Sequence, residues 1–243
     1  MNSSATNPIG GVGNSSSLDF FDMSSGGLIP HHNSSNQSAT NSSTGYPLWD
    51  VWGTSQTDVF AVGGKGTILR YDGNRWSEMN SSITRRLNDV WGTSPTDVFA
   101  VSGGGTILHY DGTGWAKMDS VTKAPLHSIW GSSSSDVFAV GGYDRFLRGT
   151  IVHYNGSVWS EMSSGTRSRL RGVWGTSSSD VFAVGFEYGI ESTILHYDGK
   201  TWSKMSFGLD ARAWVRIGIG IFWAIALGLG IWWIIRRRQR AKA

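Results

Sequence analysis

The sequence predicts an all-β fold, a β-propeller of four four-stranded blades, followed by a C-terminal transmembrane α-helix. One pattern of about 40 residues occurs four times in the centre of the chain, and an uncharged, mostly apolar run precedes a basic C-terminus. These features divide the 243 residues into a leader at 1–45, the propeller at 46–208, a transmembrane helix at 213–235 and a cytoplasmic tail at 236–243.

The leader consists mostly of Ser, Asn, Thr and Gly and contains no Lys or Arg. A segment with so few apolar residues cannot bury enough surface to offset its loss of chain entropy. We therefore expect residues 1–45 to be a disordered leader or stalk.

The four copies of the repeat share two tryptophans and four short apolar runs. The runs are Leu-x-x-Val/Ile-Trp-Gly, then Asp-Val-Phe-Ala-Val, then Thr-Ile-Leu/Val-x-Tyr, then a segment that begins at the second tryptophan. β-Branched and aromatic residues in short runs, separated by Gly, Ser and Asp, predict strands. Four strands in about 40 residues are typical of a propeller blade. The first tryptophans are Trp52, Trp91, Trp130 and Trp174, and the second are Trp76, Trp115, Trp159 and Trp202.

Two sets of acidic or amide residues are expected at the hairpins. An Asp-Gly or Asn-Gly pair, as at Asp72 and Gly73, separates the third and fourth strands, where a tight turn needs residues that tolerate positive φ. A second set closes the first hairpin, and we expect its side chains to bond their own backbone. The second set is Asp58, Asp97, Asp136 and Asp180.

The repeats resemble kelch-type propeller repeats, and they are still more similar to the VWGTS…DVFAVG…GTILHYDG…W repeats of prokaryotic surface and secreted proteins. The resemblance covers residues 48–206 and implies the fold rather than a function. Kelch repeats usually run longer, and the interval from Tyr71 to Trp76 is shorter than theirs. We expect four blades to close into a ring; the alternative is a half-propeller that another chain completes.

The basic residues are concentrated at the C-terminus. Seven of the 21 Lys and Arg residues lie in 212–243, so residues 1–211 carry a net charge of −4 although the whole chain carries +3. The nineteen uncharged residues between Arg216 and Arg236 would span about 28 Å as a helix. The basic excess beyond Arg236 predicts a single-pass protein of the cell membrane, with an extracytoplasmic propeller and a cytoplasmic C-terminus. The N-terminus shows no signal peptide.

Small residues recur at every fourth position of this span, at Gly220, Ala224 and Gly228. Such a face lets two helices approach closely, so a homodimer is possible through it. The alternative is that these residues reflect only the usual composition of membrane helices.

Several function classes are excluded or disfavoured. The absence of cysteine excludes thiolate chemistry and Cys-ligated metal, and the acidic propeller argues against nucleic acid. His109, His153 and His196 occupy one position in three blades, so we expect a whole blade between them and no metal site. Because no nucleophile elbow, phosphate loop or carboxylate pair occurs, we expect neither an enzyme nor a cofactor.

The third and fourth copies depart from the pattern in the loop between their second and third strands. These loops carry aromatic and charged residues on adjacent blades, which suits a protein or glycan ligand. The alternative is tolerated loop drift with Arg and Glu side chains paired. The candidate binding residues are Tyr143, Asp144, Arg145, Phe146, Arg148, Phe186, Glu187, Tyr188 and Glu191.

The leading hypothesis is a membrane-anchored, cell-surface β-propeller that acts as a binding or adhesion module. The alternatives are an envelope glycosidase or lyase and a structural subunit of a membrane complex.

Overall fold

The computed structural model describes residues 20–21, 29–32, 37–40, 44–55, 57–143, 148–187 and 191–205; for the first three ranges and for residues 143, 187 and 191 it describes the backbone alone. The chain divides into two compact units, Met1–Met205 and Ser206–Ala243. The predicted membrane span, its Gly220, Ala224 and Gly228 face, and the basic tail lie outside the described residues. In the part that is described, no helix has the length and apolar character needed to cross a membrane.

The leader contains a small sheet that its composition did not predict. Strands β1 (Phe20–Phe21), β2 (Ile29–His32) and β3 (Gln37–Thr40) pair antiparallel in that order. An average over a polar segment hides short runs such as Phe20 and Phe21, which suit a strand.

Each of the four repeats forms one four-stranded antiparallel sheet, as predicted. The first blade consists of β4 (Leu48–Ser55), β5 (Asp58–Gly63), β6 (Ile68–Tyr71) and β7 (Trp76–Met79), and the second of β8 (Leu87–Ser94), β9 (Asp97–Ser102), β10 (Ile107–Tyr110) and β11 (Trp115–Met118). The third consists of β12 (Leu126–Ser133), β13 (Asp136–Tyr143), β14 (Gly149–Tyr154) and β15 (Trp159–Met162), and the fourth of β16 (Arg169–Ser177), β17 (Asp180–Glu187), β18 (Glu191–Tyr197) and β19 (Trp202–Lys204). A short 3-10 turn, Gly64–Gly66, joins β5 to β6.

The second strand of each of the first three blades is covered on both faces. All four side chains from Val59 to Val62 are fully buried, which explains an apolar run without alternation. The tight turns between third and fourth strands are also confirmed, because Gly73 and its equivalents have φ between +87° and +94°. In the first of these turns the Asp72 carboxylate accepts the backbone N–H groups of Asn74 and Arg75.

Each blade packs against the next through two different faces. We call the residues equivalent to Trp52, Phe60, Val62, Ile68 and Met79 the front face of a blade. The front face of one blade packs on the back face of the following blade, which in the second blade comprises Leu87, Val90, Val98, Ala100, Leu108, Tyr110 and Trp115. The same contact recurs between the second and third blades and between the third and fourth. These three interfaces form the core of the molecule.

The first and fourth blades do not share such an interface in the described residues. On the fourth blade the front-face residues Trp174 and Val184 are 59% and 44% exposed, whereas the equivalent Val140 is fully buried. The four described blades therefore form an open arc, and the expected closed ring is not made by these sheets alone. A closed ring of four blades needs four interfaces between blades. The described residues form three, and the front face of the fourth blade does not pack on another blade.

Candidate functional site

The first strands of the four blades lie side by side, so the starts of these strands form one continuous surface. Strands β4, β8, β12 and β16 are neighbours, and the residues that follow Leu48, Leu87, Leu126 and Leu170 lie at the same end. Arginines that precede or follow these strand starts add to this end. We call this surface the basic mouth; it comprises Trp49, Arg86, His127, Arg169, Arg171 and Phe186.

Three arginines surround His127. Burial, and after it three positive charges, lower the pKa of His127 to about 4. The charges are, in decreasing effect, those of Arg171, Arg169 and Arg86. His127 is thus neutral at pH 7, and the positive charge of the mouth comes from its arginines.

Two of these arginines lie over aromatic rings. The Arg86 guanidinium carbon is 4.4 Å from the centroid of the Trp49 ring, and that of Arg171 is 5.4 Å from the Phe186 ring. All four side chains are exposed. Stacking fixes the plane of a guanidinium and leaves its N–H edge for a ligand, and this edge matches a carboxylate.

The imidazole of His127 also has a free bonding position. Its Nε2 atom is shielded from solvent and has no hydrogen-bond partner in the described part of the chain. A Cβ atom placed on Gly142 would lie 3.6 Å from this nitrogen, so glycine keeps the space beside it open. A buried polar atom of this kind favours a ligand that bonds to it.

A row of acidic residues lies beside the mouth and joins the blades. The Asp50 carboxylate accepts the backbone N–H of Val90 at 2.9 Å, and the Asp89 carboxylate accepts that of Ile129 at 2.8 Å. Burial and then the Asp89 carboxylate raise the pKa of Asp50 well above its usual value. The sequence did not predict that these aspartates bond one blade to the next.

The repeated histidines have a structural role. His109, His153 and His196 each lie 2.7 to 2.8 Å from the aspartate that opens the second strand of the same blade. Asp97 and Asp180 also accept a threonine hydroxyl, from Thr93 and Thr176. The aspartates therefore hold two strands together rather than bonding their own backbone as we expected. No group of three metal-ligating side chains occurs among the described residues.

The predicted ligand loops leave the same end of the blades as the basic mouth. The pairing of Leu126 with Gly141 and of Arg169 with Phe186 places both loops there. Of the predicted residues, Arg148 and Phe186 are described and exposed, and Phe186 belongs to the mouth. The side chains of Tyr143, Asp144, Arg145, Phe146, Glu187, Tyr188 and Glu191 lie outside the described residues, so the predicted ligand site on these loops stays a prediction.

The arginines of the basic mouth were not predicted from the sequence. Arg86 lies just before β8, Arg169 is the first residue of β16, and Arg171 follows Leu170 in that strand. In the sequence they are scattered basic residues. The available signal was the residue that follows the first leucine of each repeat, which reads Trp, Asn, His and Arg.

No family model and no curated protein matches the chain. Among solved structures, it is similar to "YCF48 bound to D1 peptide" at 14% identity and a TM-score of 0.56, covering 76% of this chain and 63% of that one. The "WD40 beta propeller domain of Doa1" gives 12% and 0.56, covering 78% and 60%. The "SapL1 lectin in complex with alpha methyl fucoside" gives 14% and 0.54, covering 82% and 79%.

The chain thus spans less than two thirds of the length of the first two of these proteins. The kelch-like resemblance receives no support from a family match and stays a prediction. At identities of 12 to 14% the similarity establishes the fold alone. The described chain therefore has the β-propeller fold, as four repeated blades in an open arc.

Proposed function

We propose that the chain is a binding module whose basic mouth holds a carboxylate-bearing ligand, a protein or a glycan. The observation that carries this proposal is the group of three arginines around a buried, unpartnered Nε2 of His127. Exposed Trp49 and Phe186 offer apolar contact beside these charges. Arginine and aromatic residues together are typical of energetically important contacts.

The solved structures are consistent with such a role. Similar folds occur bound to the D1 peptide in YCF48 and to a methyl fucoside in SapL1. These two ligands belong to the two ligand classes that the sequence suggests, protein and glycan.

Binding measurements on the full chain in mild detergent test the proposal. We expect an acidic peptide or an oligosaccharide of uronic acids to bind, and the same compound with amidated carboxylates to bind at least tenfold more weakly. Arg171→Gln should weaken binding by about tenfold, which corresponds to about 1.4 kcal/mol for one charge-assisted contact. Arg75→Gln is the matched control, because exposed Arg75 lies at the opposite end of the first blade. Equal losses in both variants would contradict a site at the mouth.

The proposal includes an anchor in the membrane. The apolar run at 213–235 and the basic residues beyond Arg236 support a single span with the propeller outside the cell. Protease added to intact cells should digest the propeller; protection until lysis would contradict this orientation.

We further propose that the protein is not an enzyme. The mouth offers charge and apolar contact, and its described residues include no carboxylate, hydroxyl or thiol that could act as a nucleophile. Turnover of a glycan substrate that is lost in Arg171→Gln would overturn this proposal and favour the envelope glycosidase or lyase.

A further inference from the structure

The front face of the fourth blade is an apolar surface that no other blade covers in the described chain. Trp174, Val184 and Met205 are 59%, 44% and 39% exposed, whereas the equivalent residues of the first three blades are buried or half-buried. Phe186 lies two residues beyond Val184 on the same side of β17 and is 44% exposed. A continuous patch of exposed, large apolar side chains marks an interaction site.

The fourth blade lacks the polar group that bonds each of the other blades to the next one. At all three interfaces, a side chain on the first strand of one blade accepts a backbone N–H of the following blade. The acceptors are Asp50, Asp89 and Ser128, and the donors are Val90, Ile129 and Val173.

The residue at the same position of the fourth blade is a glycine. Gly172 pairs with Val184 as Asp50 pairs with Val62. Since glycine has no side-chain acceptor, this face cannot make the bond that holds a following blade. The face therefore suits an apolar occupant better than a further blade.

The end of this face beside the basic mouth carries positive charge. The Arg171 guanidinium carbon is 5.4 Å from the centroid of the Phe186 ring, and both side chains are exposed. Among the described side chains on this side of β17, the only carboxylate is that of Asp180. It lies at the far end of the strand, where it contacts His196 and Thr176. An apolar surface with a basic edge matches the boundary of a bilayer, where acyl chains meet anionic headgroups.

The chain leaves the fourth blade on this same face. The backbone N–H of Met205 bonds to the Ile194 carbonyl at 2.9 Å, which fixes Met205 to the outer strands. The predicted membrane span begins at residue 213, only eight residues further along the chain. Eight residues reach at most about 28 Å when fully extended, which is close to the length of an eight-residue strand such as β4. A chain anchored by that span therefore keeps this face within about one strand length of the bilayer.

We propose that the front face of the fourth blade docks on the lipid bilayer, with Arg171 beside the headgroup phosphates. This inference rests on the proposed membrane anchor. Tryptophan and phenylalanine favour the interfacial layer, and apolar side chains at such a surface enter it by about 5 to 10 Å. Because Phe186 belongs both to this side of the blade and to the mouth, docking brings the basic mouth to the membrane surface. The docked apolar side chains are Trp174, Val184, Phe186 and Met205.

A fluorescent label on the face tests this inference, because the chain contains no cysteine of its own. The full chain with Val184→Cys carries one nitrobenzoxadiazole label and is reconstituted in vesicles of phosphatidylcholine and phosphatidylglycerol. We expect blue-shifted emission and quenching by lipids that carry a spin label near the top of the acyl chain. Val158→Cys is the matched control, because Val158 is also exposed but lies in the hairpin between β14 and β15. Its label should keep the emission of a probe in water and should be quenched severalfold less.

A second variant separates docking from anchoring. Trp174→Glu places a charge in the centre of the face, and because Trp174 is exposed the variant should keep the far-ultraviolet spectrum of the parent. In the labelled Val184→Cys chain it should reduce quenching severalfold, while the chain stays with the vesicles after a carbonate wash. Val158→Glu in the same labelled chain should leave the quenching unchanged.

Three results would overturn the inference. A label at position 184 that stays in water on a chain that resists carbonate contradicts docking but leaves the anchor intact. The same label in water on a chain that carbonate releases contradicts both. Blue-shifted emission without quenching by lipid, together with cross-linking of Val184→Cys copies to each other through a short bis-maleimide, identifies a second copy as the occupant. Carboxylate binding at the mouth is measured separately, because Arg171 is unchanged in every variant.

Discussion

The front faces of the first three blades and that of the fourth blade carry nearly the same residues but have different surroundings. Phe60, Phe99 and Phe138 are at most 1% exposed, and the equivalent Phe182 is only half-buried. Ring contacts show the reason, because Phe138 meets Tyr197 and Trp202 of the next blade at 5.4 and 6.0 Å. For Phe182 the described ring contact is with His196 of its own blade, at 4.6 Å. The repeat thus specifies a surface, and the following blade decides whether that surface becomes core.

The largest effect is expected when the phenylalanine ring is removed from a covered front face and, for comparison, from the exposed front face of the fourth blade. We expect Phe138→Ala to lower the free energy of unfolding by about 3 to 5 kcal/mol, because it leaves a cavity between two blades. Phe182→Ala should cost about 1 kcal/mol, since its ring is only half-buried. Chemical denaturation followed by tryptophan fluorescence, at concentrations where the chain is monomeric, gives both values. Equal losses would mean that the fourth face is covered in solution.

A smaller effect is expected when a valine is replaced by threonine on the front faces of the third and fourth blades. Val140→Thr should cost about 1 to 3 kcal/mol, because the new hydroxyl is buried without a partner. Val184→Thr should change the free energy of unfolding by less than about 0.5 kcal/mol, because water reaches that position. The same denaturation assay compares them, and a large cost at Val184 would contradict an open arc.

Two hydrogen bonds between blades should respond differently to pH, because one is accepted by the carboxylate of Asp50 and the other by the hydroxyl of Ser128. The folded state holds a proton on Asp50 more tightly than the unfolded state does, because the pKa of Asp50 is raised. The free energy of unfolding should therefore fall as pH rises through the window between the ordinary aspartate pKa and the raised one. Asp50→Asn keeps an oxygen for the Val90 N–H and should remove this slope, with a gain on the order of 1 kcal/mol above the window. The Ser128 hydroxyl makes the equivalent bond to Val173, and Ser128→Ala should leave the slope unchanged.

The weakest expected effect comes from His127. Its pKa of about 4 lies below the unfolded value of about 6.5, so the unfolded state takes up the proton first as pH falls. The free energy of unfolding should fall by on the order of 1 kcal/mol between pH 6.5 and pH 4, after allowance for solvent screening. The melting temperature, measured from pH 6.5 to pH 4, should follow this loss of stability in the parent, and His127→Gln should show a smaller decrease. An equal decrease in both proteins would contradict a neutral His127 in the folded protein.

The repeat was sufficient to predict the blades, their strand order and the turns at Asp72-Gly73 and its equivalents, because these features depend on residues close in the sequence. The basic mouth was not predicted. Arg86, Arg169 and Arg171 approach His127 only because the inner strands of separate blades lie side by side. The role of Asp50 was missed for the same reason, since its partners Asp89 and Val90 belong to the next blade.

Local preference and periodicity in the sequence determined that this protein forms four blades, each with a front and a back apolar face. The tertiary structure alone decided which faces are covered, and it also decided which charges meet at the mouth. The physical reason is that strand formation depends on neighbours a few residues apart, whereas burial and electrostatic shifts depend on atoms that the fold brings together from blades about 40 residues apart.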